Sequence, residues 1–137
     1  MNPKTLQSTL EQLEKDIWPK PAYDSNLVLT CHALRKKPLK DFDVENLRIM
    51  IGQDFSLPHL VPLAIEVLSG NILAEGDMYE GDLLKAVLTS KRTYWKSVPE
   101  VFASLKALVL SNEELLDETD REFMKEFKRL GAEMKLG

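Results

Sequence analysis

Four carboxylates lie within eight residues of the segment AEGDMYEGD, and they form the densest group of side chains in this sequence that could do chemistry. They are Glu75, Asp77, Glu80 and Asp82, spaced by Gly76 and Gly81 and placed around Met78 and Tyr79. Crowding like charges costs free energy, so another interaction must offset it. Four roles would explain the cluster: a metal site, a pair of catalytic acids, the start of a helix, or a docking surface for a basic partner.

The first two roles fit the spacing poorly. A calcium loop needs alternating oxygen ligands, a glycine at its sixth position and a glutamate at its twelfth, and Tyr79, Glu80 and Gly81 break that register. A magnesium site on a phosphate substrate would need a phosphate-cradling loop, and the sequence has none. Glycoside hydrolysis by paired carboxylates could use Tyr79, Tyr94 and Trp95 as sugar platforms, but a hydrolase built of short helices would be unusual. We expect no metal, no cofactor and no catalytic residue.

The start of a helix explains half of the cluster. Glu80 and Asp82 fall just before or within the first turn of a helix over LLKAVL, where a negative charge is favoured by about 0.3–1 kcal/mol. Glu75 and Asp77 lie too far upstream for this, so they need another explanation.

A docking loop explains the remainder. Carboxylates beside Met78 and Tyr79 suit an interface with a basic partner, which they would steer and select. The following stretch is basic, and part of the acidic charge could be balanced within the chain by Lys85, Lys91, Arg92 and Lys96.

Other polar candidates read as structural. Cys31 and His32 are adjacent, so their side chains diverge and cannot easily share a metal, and no zinc-ligand spacing is present around His59. The run LRKKPLK is cut off by acidic residues and is explained as a solvated helix end. We expect Trp95 in the core and Tyr94 to reach the surface.

Bulk properties narrow the class of protein. With 137 residues, 44% hydrophobic and 29% charged, the chain is expected to form a single domain over residues 1–137. The net charge of −4 and a pI near 5.3 argue against nucleic acid as the direct ligand. One cysteine allows no intramolecular disulfide, and we find neither a secretory signal nor a membrane span, so we expect a cytoplasmic protein with no membrane partner.

Hydrophobic spacing predicts helices throughout. A first helix begins at Asn2-Pro3, turns Leu6, Leu10, Leu13 and Ile17 inward, and stops at Pro19 and Pro21. SNLVLTCHALRKK could hold a strand, although Leu27, Cys31 and Leu34 fit one helical face. Asp43 caps VENLRIMI. SLPHLVPLAIEVLSG is apolar nearly all round and predicts a central buried helix whose regular part begins near Pro62.

The C-terminal third repeats one capping pattern. Ser97, Ser111 and Thr119 each stand three residues before a glutamate, which is the sequence pattern of a capping box. Because no two strand patterns face each other across a hairpin turn, we predict an all-α domain of six or seven short helices, an arrangement that stacked helix pairs would also satisfy.

Several segments together resemble the immunity proteins of bacterial contact-dependent growth inhibition systems. The matching pieces lie between Leu34 and Trp95 and are LRKKPL, VENLRIMIGQ, LVPLAIEVL and, most specifically, LAEGDMYEGDLLKAVL followed by YW. The resemblance implies a small cytoplasmic antidote, not an enzyme, that binds and neutralises the C-terminal domain of a cognate toxin. Such toxins are often nucleases, whose basic clefts an acidic loop could occupy in place of nucleic acid.

Two interpretations of the acidic segment stay open under this resemblance. It is either the surface that faces the toxin or a scaffold feature of the fold, because immunity proteins vary where they touch their toxins. We favour the first, with toxin contacts made by Glu75, Asp77, Tyr79, Glu80, Asp82 and Tyr94. A helical adaptor that binds a peptide or partner helix is the main alternative function, and a small hydrolase is the other.

Overall fold

The computed structural model describes residues 2–20 and 25–136 of the chain. Those residues form ten α-helices and one 3-10 turn, Leu39–Asp41, with no strand among them. The helices are α1 Pro3–Gln7, α2 Leu10–Glu14, α3 Asn26–Leu34, α4 Val44–Gly52, α5 Leu57–Gly70, α6 Asp82–Leu88, α7 Arg92–Ser97, α8 Pro99–Ser111, α9 Glu113–Thr119 and α10 Glu122–Leu136. The predicted all-α class is confirmed, and the ambiguous segment before LRKK is helical. The single-domain boundaries stay a prediction.

Helix α6 has only seven residues but lies at the centre of the helix packing. Helix α6 contacts α4, α5 and α10, and its leucines and Val87 are fully buried. Helix α5, predicted to be the central one, instead buries one face and leaves the opposite side half-exposed. Helix α5 begins at Leu57, earlier than the predicted start near Pro62. Pro58 lies in its first turn, where the missing N–H of proline costs no hydrogen bond. One hydrophobic core runs from Leu10 to Leu130.

The N-terminal helix is broken where one continuous helix was predicted. Thr9 accepts a hydrogen bond from the backbone N–H of Gln12, and the Gln12 side chain accepts one from Thr9, so a capping box starts a second helix there. Lys15 then adopts a left-handed conformation that ends α2. Ile17 therefore lies beyond the helix and is 75% exposed. Pro21 lies outside the described residues.

The three predicted capping boxes do not form. The hydroxyls of Ser97, Ser111 and Thr119 donate back to carbonyls of the preceding helix instead of accepting from the next one. Each of these residues is the last in its helix, where a nearby unpaired carbonyl is a closer partner than the next helix. Asp43, in contrast, caps α4 as predicted and shares a reciprocal capping box with Asn46.

A buried arginine ties the N-terminal segment to the rest of the protein. Arg35, predicted to be part of a solvated helix end, is 1% exposed. Its Nη1 donates to the Glu14 carboxylate, its Nη2 donates to the Asp16 carbonyl at 2.6 Å, and its guanidinium lies 4.5 Å from the centre of the Trp18 ring. These contacts let a cation replace its hydration shell with fixed partners.

Replacing Arg35 by methionine should lower the free energy of unfolding by about 2–4 kcal/mol, because the N-terminal segment loses its charged hydrogen bonds and its ring contact with the buried guanidinium. The neighbouring exposed substitution Lys36→Met should change it by less than about 0.5 kcal/mol. Urea unfolding followed by circular dichroism measures both values. Equal effects of the two substitutions would show that the guanidinium cluster does not hold the N-terminal segment.

Candidate functional site

The segment from Glu75 to Asp82 is a compact loop folded around one of its own carboxylates. Asp82 is 3% exposed. Its Oδ1 accepts from the Gly76 N–H at 2.7 Å, and its Oδ2 accepts from the N–H groups of Met78 at 3.0 Å and Tyr79 at 3.3 Å. The Asp82 N–H closes the loop on the Tyr79 carbonyl at 3.0 Å. We call residues 75–82 with this geometry the acidic loop.

The Glu45–Arg48 ion pair on α4 contacts the acidic loop and helps to hold its shape. Arg48 donates to both oxygens of Glu45 at 2.6 Å and lies 3.7 Å from Asp82 Oδ2. Glu45 Oε1 also accepts the Asp77 N–H at 2.9 Å. The Arg48 hydrogen bond, with help from Asp77, holds the pKa of the Glu45 carboxyl below its ordinary value of 4.5. The charge crowding is thus offset by backbone N–H groups and by Arg48.

The two glycines of the acidic loop are required by close approach. A Cβ on Gly76 would lie 2.5 Å from Glu45 Oε1 and 3.2 Å from Asp82 Oδ2. Gly81 has φ of 87°, and a Cβ there would lie 2.3 Å from Cζ of Phe123 on α10. Gly76 therefore admits the α4 ion pair, and Gly81 lets α10 close over the start of α6.

The structure separates the six residues predicted to contact a toxin. Glu75, Asp77, Tyr79 and Glu80 are on the surface, and Met78 beside them is 65% exposed. Asp82 is enclosed by the loop. Tyr94, expected to reach the surface, is 8% exposed because it packs edge-on against Trp95 in the core. Burial, with the nearby Glu100, raises the pKa of Tyr94 to about 12.

The exposed tyrosine keeps its proton at neutral pH. Partial burial, followed by the negative charges of Asp82 and Asp120, raises the pKa of the Tyr79 hydroxyl. Tyr79 is 46% exposed, so its ring and its hydroxyl donor are both available to a partner. The loop surface thus combines three carboxylates with one thioether and one neutral phenol.

The basic residues that follow the acidic loop do not neutralise its exposed carboxylates in the described part of the chain. Lys85, Lys91, Arg92 and Lys96 form no ion pair with the exposed carboxylates there. Arg92 instead donates to the carbonyls of Leu88 and Ser90. Among the outer carboxylates, Asp77 is attracted to Arg48 at longer range, whereas Glu75 and Glu80 form no ion pair within the described residues.

The remaining polar candidates are structural, within the residues described. Trp95 is fully buried, as predicted, and its Nε1 donates to Ser90 Oγ at 2.8 Å. His32 packs edge-on against Trp18, and burial raises the pKa of the Cys31 thiol. No group of three or more His, Cys, Asp or Glu side chains in the described ranges could hold a metal ion. No helix among them is long and apolar enough to cross a bilayer.

Sequence reasoning missed Glu45, Arg48 and Arg35. A glutamate three residues before an arginine on one helix face signals an ion pair, so Glu45 and Arg48 could have been paired from their spacing. Nothing in the sequence places that pair beneath a loop more than twenty-five residues downstream. Arg35 offered no such signal, because it stands in a run of cations.

These features define a small helical protein that presents a rigid acidic loop on its surface. A family model described as CDI immunity proteins, where CDI stands for contact-dependent growth inhibition, matches residues 12–105, more than half of the chain. The chain belongs to this family, and the resemblance carried by its motifs is confirmed. No curated protein and no solved structure matches it. Membership implies a cognate toxin as the partner, and proteins of this family are generally not enzymes.

The Glu45–Arg48 ion pair and the acidic loop both lie inside the region matched by the family model. Glu45 and Arg48 belong to VENLRIMIGQ, and the acidic loop belongs to LAEGDMYEGDLLKAVL, so the two most recognisable segments touch each other. The glycines, Asp82 and the α4 ion pair therefore form a scaffold. The outward side chains of the loop are not needed for that scaffold.

Gly81→Ala should lower the free energy of unfolding by about 2–4 kcal/mol, because a left-handed backbone and a clash with Phe123 both oppose a Cβ. Gly52→Ala is the matched control, since a Cβ there meets nothing within 4 Å and alanine favours a helix. Urea unfolding of both variants tests this. A Gly81→Ala protein as stable as the Gly52→Ala protein would contradict the loop geometry.

Glu45→Gln should cost about 1–2 kcal/mol at neutral pH, because Arg48 and the Asp77 N–H lose a charged acceptor. Since the folded-state pKa of Glu45 is depressed, its stabilisation is complete above about pH 4.5 and is lost as the pH falls through the folded-state pKa. The difference between wild type and variant should therefore shrink at acidic pH.

Urea unfolding at a series of pH values measures that difference. Glu133→Gln, which removes one carboxylate from α10, reports the effect of losing a negative charge away from the loop. A difference between wild type and Glu45→Gln that stays constant down to strongly acidic pH would contradict the ion pair.

Proposed function

We propose that this immunity protein inserts the acidic loop into the basic substrate cleft of a toxin nuclease and so excludes nucleic acid. The observation that carries the proposal is the exposure of Met78 and Tyr79 between Glu75 and Glu80, two exposed carboxylates that form no ion pair within the described residues. An apolar anchor surrounded by charge is the usual composition of a contact centre with a basic partner. Nucleic acid itself is not a ligand in this proposal.

Preorganisation of the acidic loop supports this role. Binding loses affinity when a loop must be ordered first, and residues 76–82 are already held by Asp82, the α4 ion pair and α10. Glu75, Asp77, Glu80 and Tyr79 are the proposed toxin contacts. Asp82 acts by positioning them, and Tyr94 acts through core packing.

Separation of scaffold from contact residues supports specificity. The loop backbone depends on Gly76, Gly81 and Asp82, whereas the side chains of Glu75, Met78 and Glu80 are exposed and form none of the hydrogen bonds that hold it. Outward residues can therefore change to suit one toxin while the loop keeps its shape. The proposed inhibition requires no reaction by this protein and takes place in the cytoplasm, where a delivered nuclease meets its substrate.

Asp77→Lys should weaken binding to the cognate toxin domain by about 2–4 kcal/mol, because a toxin cation is left facing a like charge. Tyr79→Ala should lose a similar amount through the anchor. Unfolding free energy should fall by no more than about 1 kcal/mol for Asp77→Lys, because the side chain is exposed although its charge acts on Arg48. Calorimetric titration with the C-terminal domain of the cognate toxin measures affinity.

Glu133→Lys is the matched control for charge reversal. It lies ten residues along α10 from Phe123, which is about 15 Å from the contact with the acidic loop. It should bind and protect cells as wild type does. If Asp77→Lys binds an active toxin domain with full affinity, the interface lies outside the acidic loop. If the wild-type protein does not bind the toxin domain, the helical adaptor becomes the favoured function.

A further inference from the structure

A second concave surface lies between α8 and α10, largely beyond the matched region. It is a groove of about 420 Å³ with an aromatic floor, in which the rings of Phe102 and Phe127 stack with centres 6.3 Å apart. The other lining residues are Lys106, Lys128, Gly131, Ala132, Met134 and Lys135. We call this surface the lysine groove. The acidic loop contributes no residue to it.

The rim of the lysine groove carries charge without a partner. Lys106, Lys128 and Lys135 are exposed, and none of them has a carboxylate within 4 Å in the described part of the chain. Three free cations around an aromatic floor stand out in a protein of net charge −4. Such a surface suits an acidic segment that also offers an apolar side chain.

Gly131 keeps the lysine groove open. It lies in the interior of α10, where glycine is less favourable than any residue except proline. A Cβ there would meet only Cζ of Phe102, at 4.0 Å, so packing does not require glycine. Glycine lowers the stability of α10 at this position, and the absent side chain leaves space above the aromatic floor.

The same face of the protein carries an acidic and apolar surface at its other end. The exposed carboxylates of α9 are Glu113, Glu114, Asp117 and Glu118, and none has an ion-pair partner among the residues described. Leu115 among them is 45% exposed, and Leu110 at the end of α8 is 46% exposed. We call these six residues the acidic end.

The acidic end and the lysine groove are continuous. Leu110 is four residues from Lys106, so the two side chains share one face of α8. A more open depression beside it is lined by Asp117 and Glu118 together with Arg121, Lys125 and Lys128, and Lys128 is also a wall of the lysine groove. The groove uses the first half of α8 and the part of α10 from Phe127 to Lys135, whereas α9 joins the C-terminal end of α8 to the N-terminal end of α10.

We propose that a second copy of this chain docks on this face, with the acidic end of each copy in the lysine groove of the other. A surface that is basic at one end and acidic at the other becomes self-complementary under a two-fold rotation. Leu110 and Leu115 supply the apolar side chains that the aromatic floor requires. The arrangement closes as a dimer and leaves the acidic loop outside the two contact regions.

Sedimentation velocity over a dilution series tests the dimer in the full chain. Wild type should show a monomer–dimer equilibrium that shifts toward monomer as salt is raised, because the contacts are ionic. The double variant Lys106→Glu, Lys128→Glu and the double variant Asp117→Lys, Glu118→Lys should each weaken association at least about tenfold. Lys36→Glu, Lys40→Glu is the control at exposed lysines outside the groove and should associate as wild type does.

Mixing the two charge-reversed proteins gives the sharper result. The reversed, acidic groove of one variant is complementary to the reversed, basic end of the other, and the two unaltered surfaces are also complementary. An equimolar mixture should therefore restore a dimer that contains one copy of each variant. Gly131→Leu should also weaken association by filling the groove, while its higher helix propensity protects the fold.

Several outcomes would overturn the proposal. A wild-type protein that stays monomeric at every concentration would do so, as would a dimer that survives both double variants or Gly131→Leu. Failure of the two monomeric variants to pair would exclude the two-fold arrangement. None of these outcomes depends on toxin binding, so the proposed function of the acidic loop is tested separately.

Discussion

The Asp82 carboxylate, buried beneath its own loop, is the constraint on which the shape of the acidic loop depends. A buried carboxylate is tolerated only when hydrogen bonds replace its hydration, and here three backbone N–H groups and the nearby Arg48 do so. Satisfying Asp82 pulls residues 76–79 into one tight curve. The same curve turns the remaining carboxylates, Met78 and Tyr79 outward, so the internal requirement of one acid sets the exposure of the others.

Elements distant in sequence converge on that loop. Helix α4 contributes the Glu45–Arg48 pair, α6 contributes Asp82 at its start, and α10 closes over Gly81 through Phe123. The core beneath them is continuous, which gives the loop a rigid base. Affinity for a protein partner benefits from such rigidity, since less conformational entropy is lost on binding. The proposed inhibition by occupying a cleft would need shape and charge held in place, and this network holds both.

The segments that resemble immunity proteins and the proposed contact residues have different physical roles in the acidic loop. The segments that made the family recognisable are those that build the loop scaffold, because glycines at 76 and 81 and an acid at 82 cannot be exchanged without a clash or an unsatisfied N–H. The two interpretations of the acidic segment left open by the sequence are therefore compatible. The scaffold residues and the proposed contact residues lie within the same eight positions, with Glu75 and residues 77–80 outward and Gly76, Gly81 and Asp82 in the scaffold.

Local rules in the sequence determined the class of the fold and much of its detail. Hydrophobic spacing of 3.6 residues predicted helices, the Asp43 cap of α4 was read correctly, and the aromatic Trp95 was placed in the core. These features depend on neighbours three or four residues apart, which a sequence displays directly. The break at Thr9 was also encoded locally, but the continuous leucine spacing concealed it.

Only the tertiary structure decided which charges are buried and which face solvent. Asp82 and Arg35 look like their exposed neighbours in sequence, and their burial depends on partners contributed by other helices and by the N-terminal segment. Tyr94 and Tyr79 differ in the same way, one enclosed by Trp95 and the other exposed at the loop. The lysine groove likewise exists only where α8 meets α10. Side-chain burial is a property of long-range packing, and periodicity along one helix does not specify which helix will lie against it.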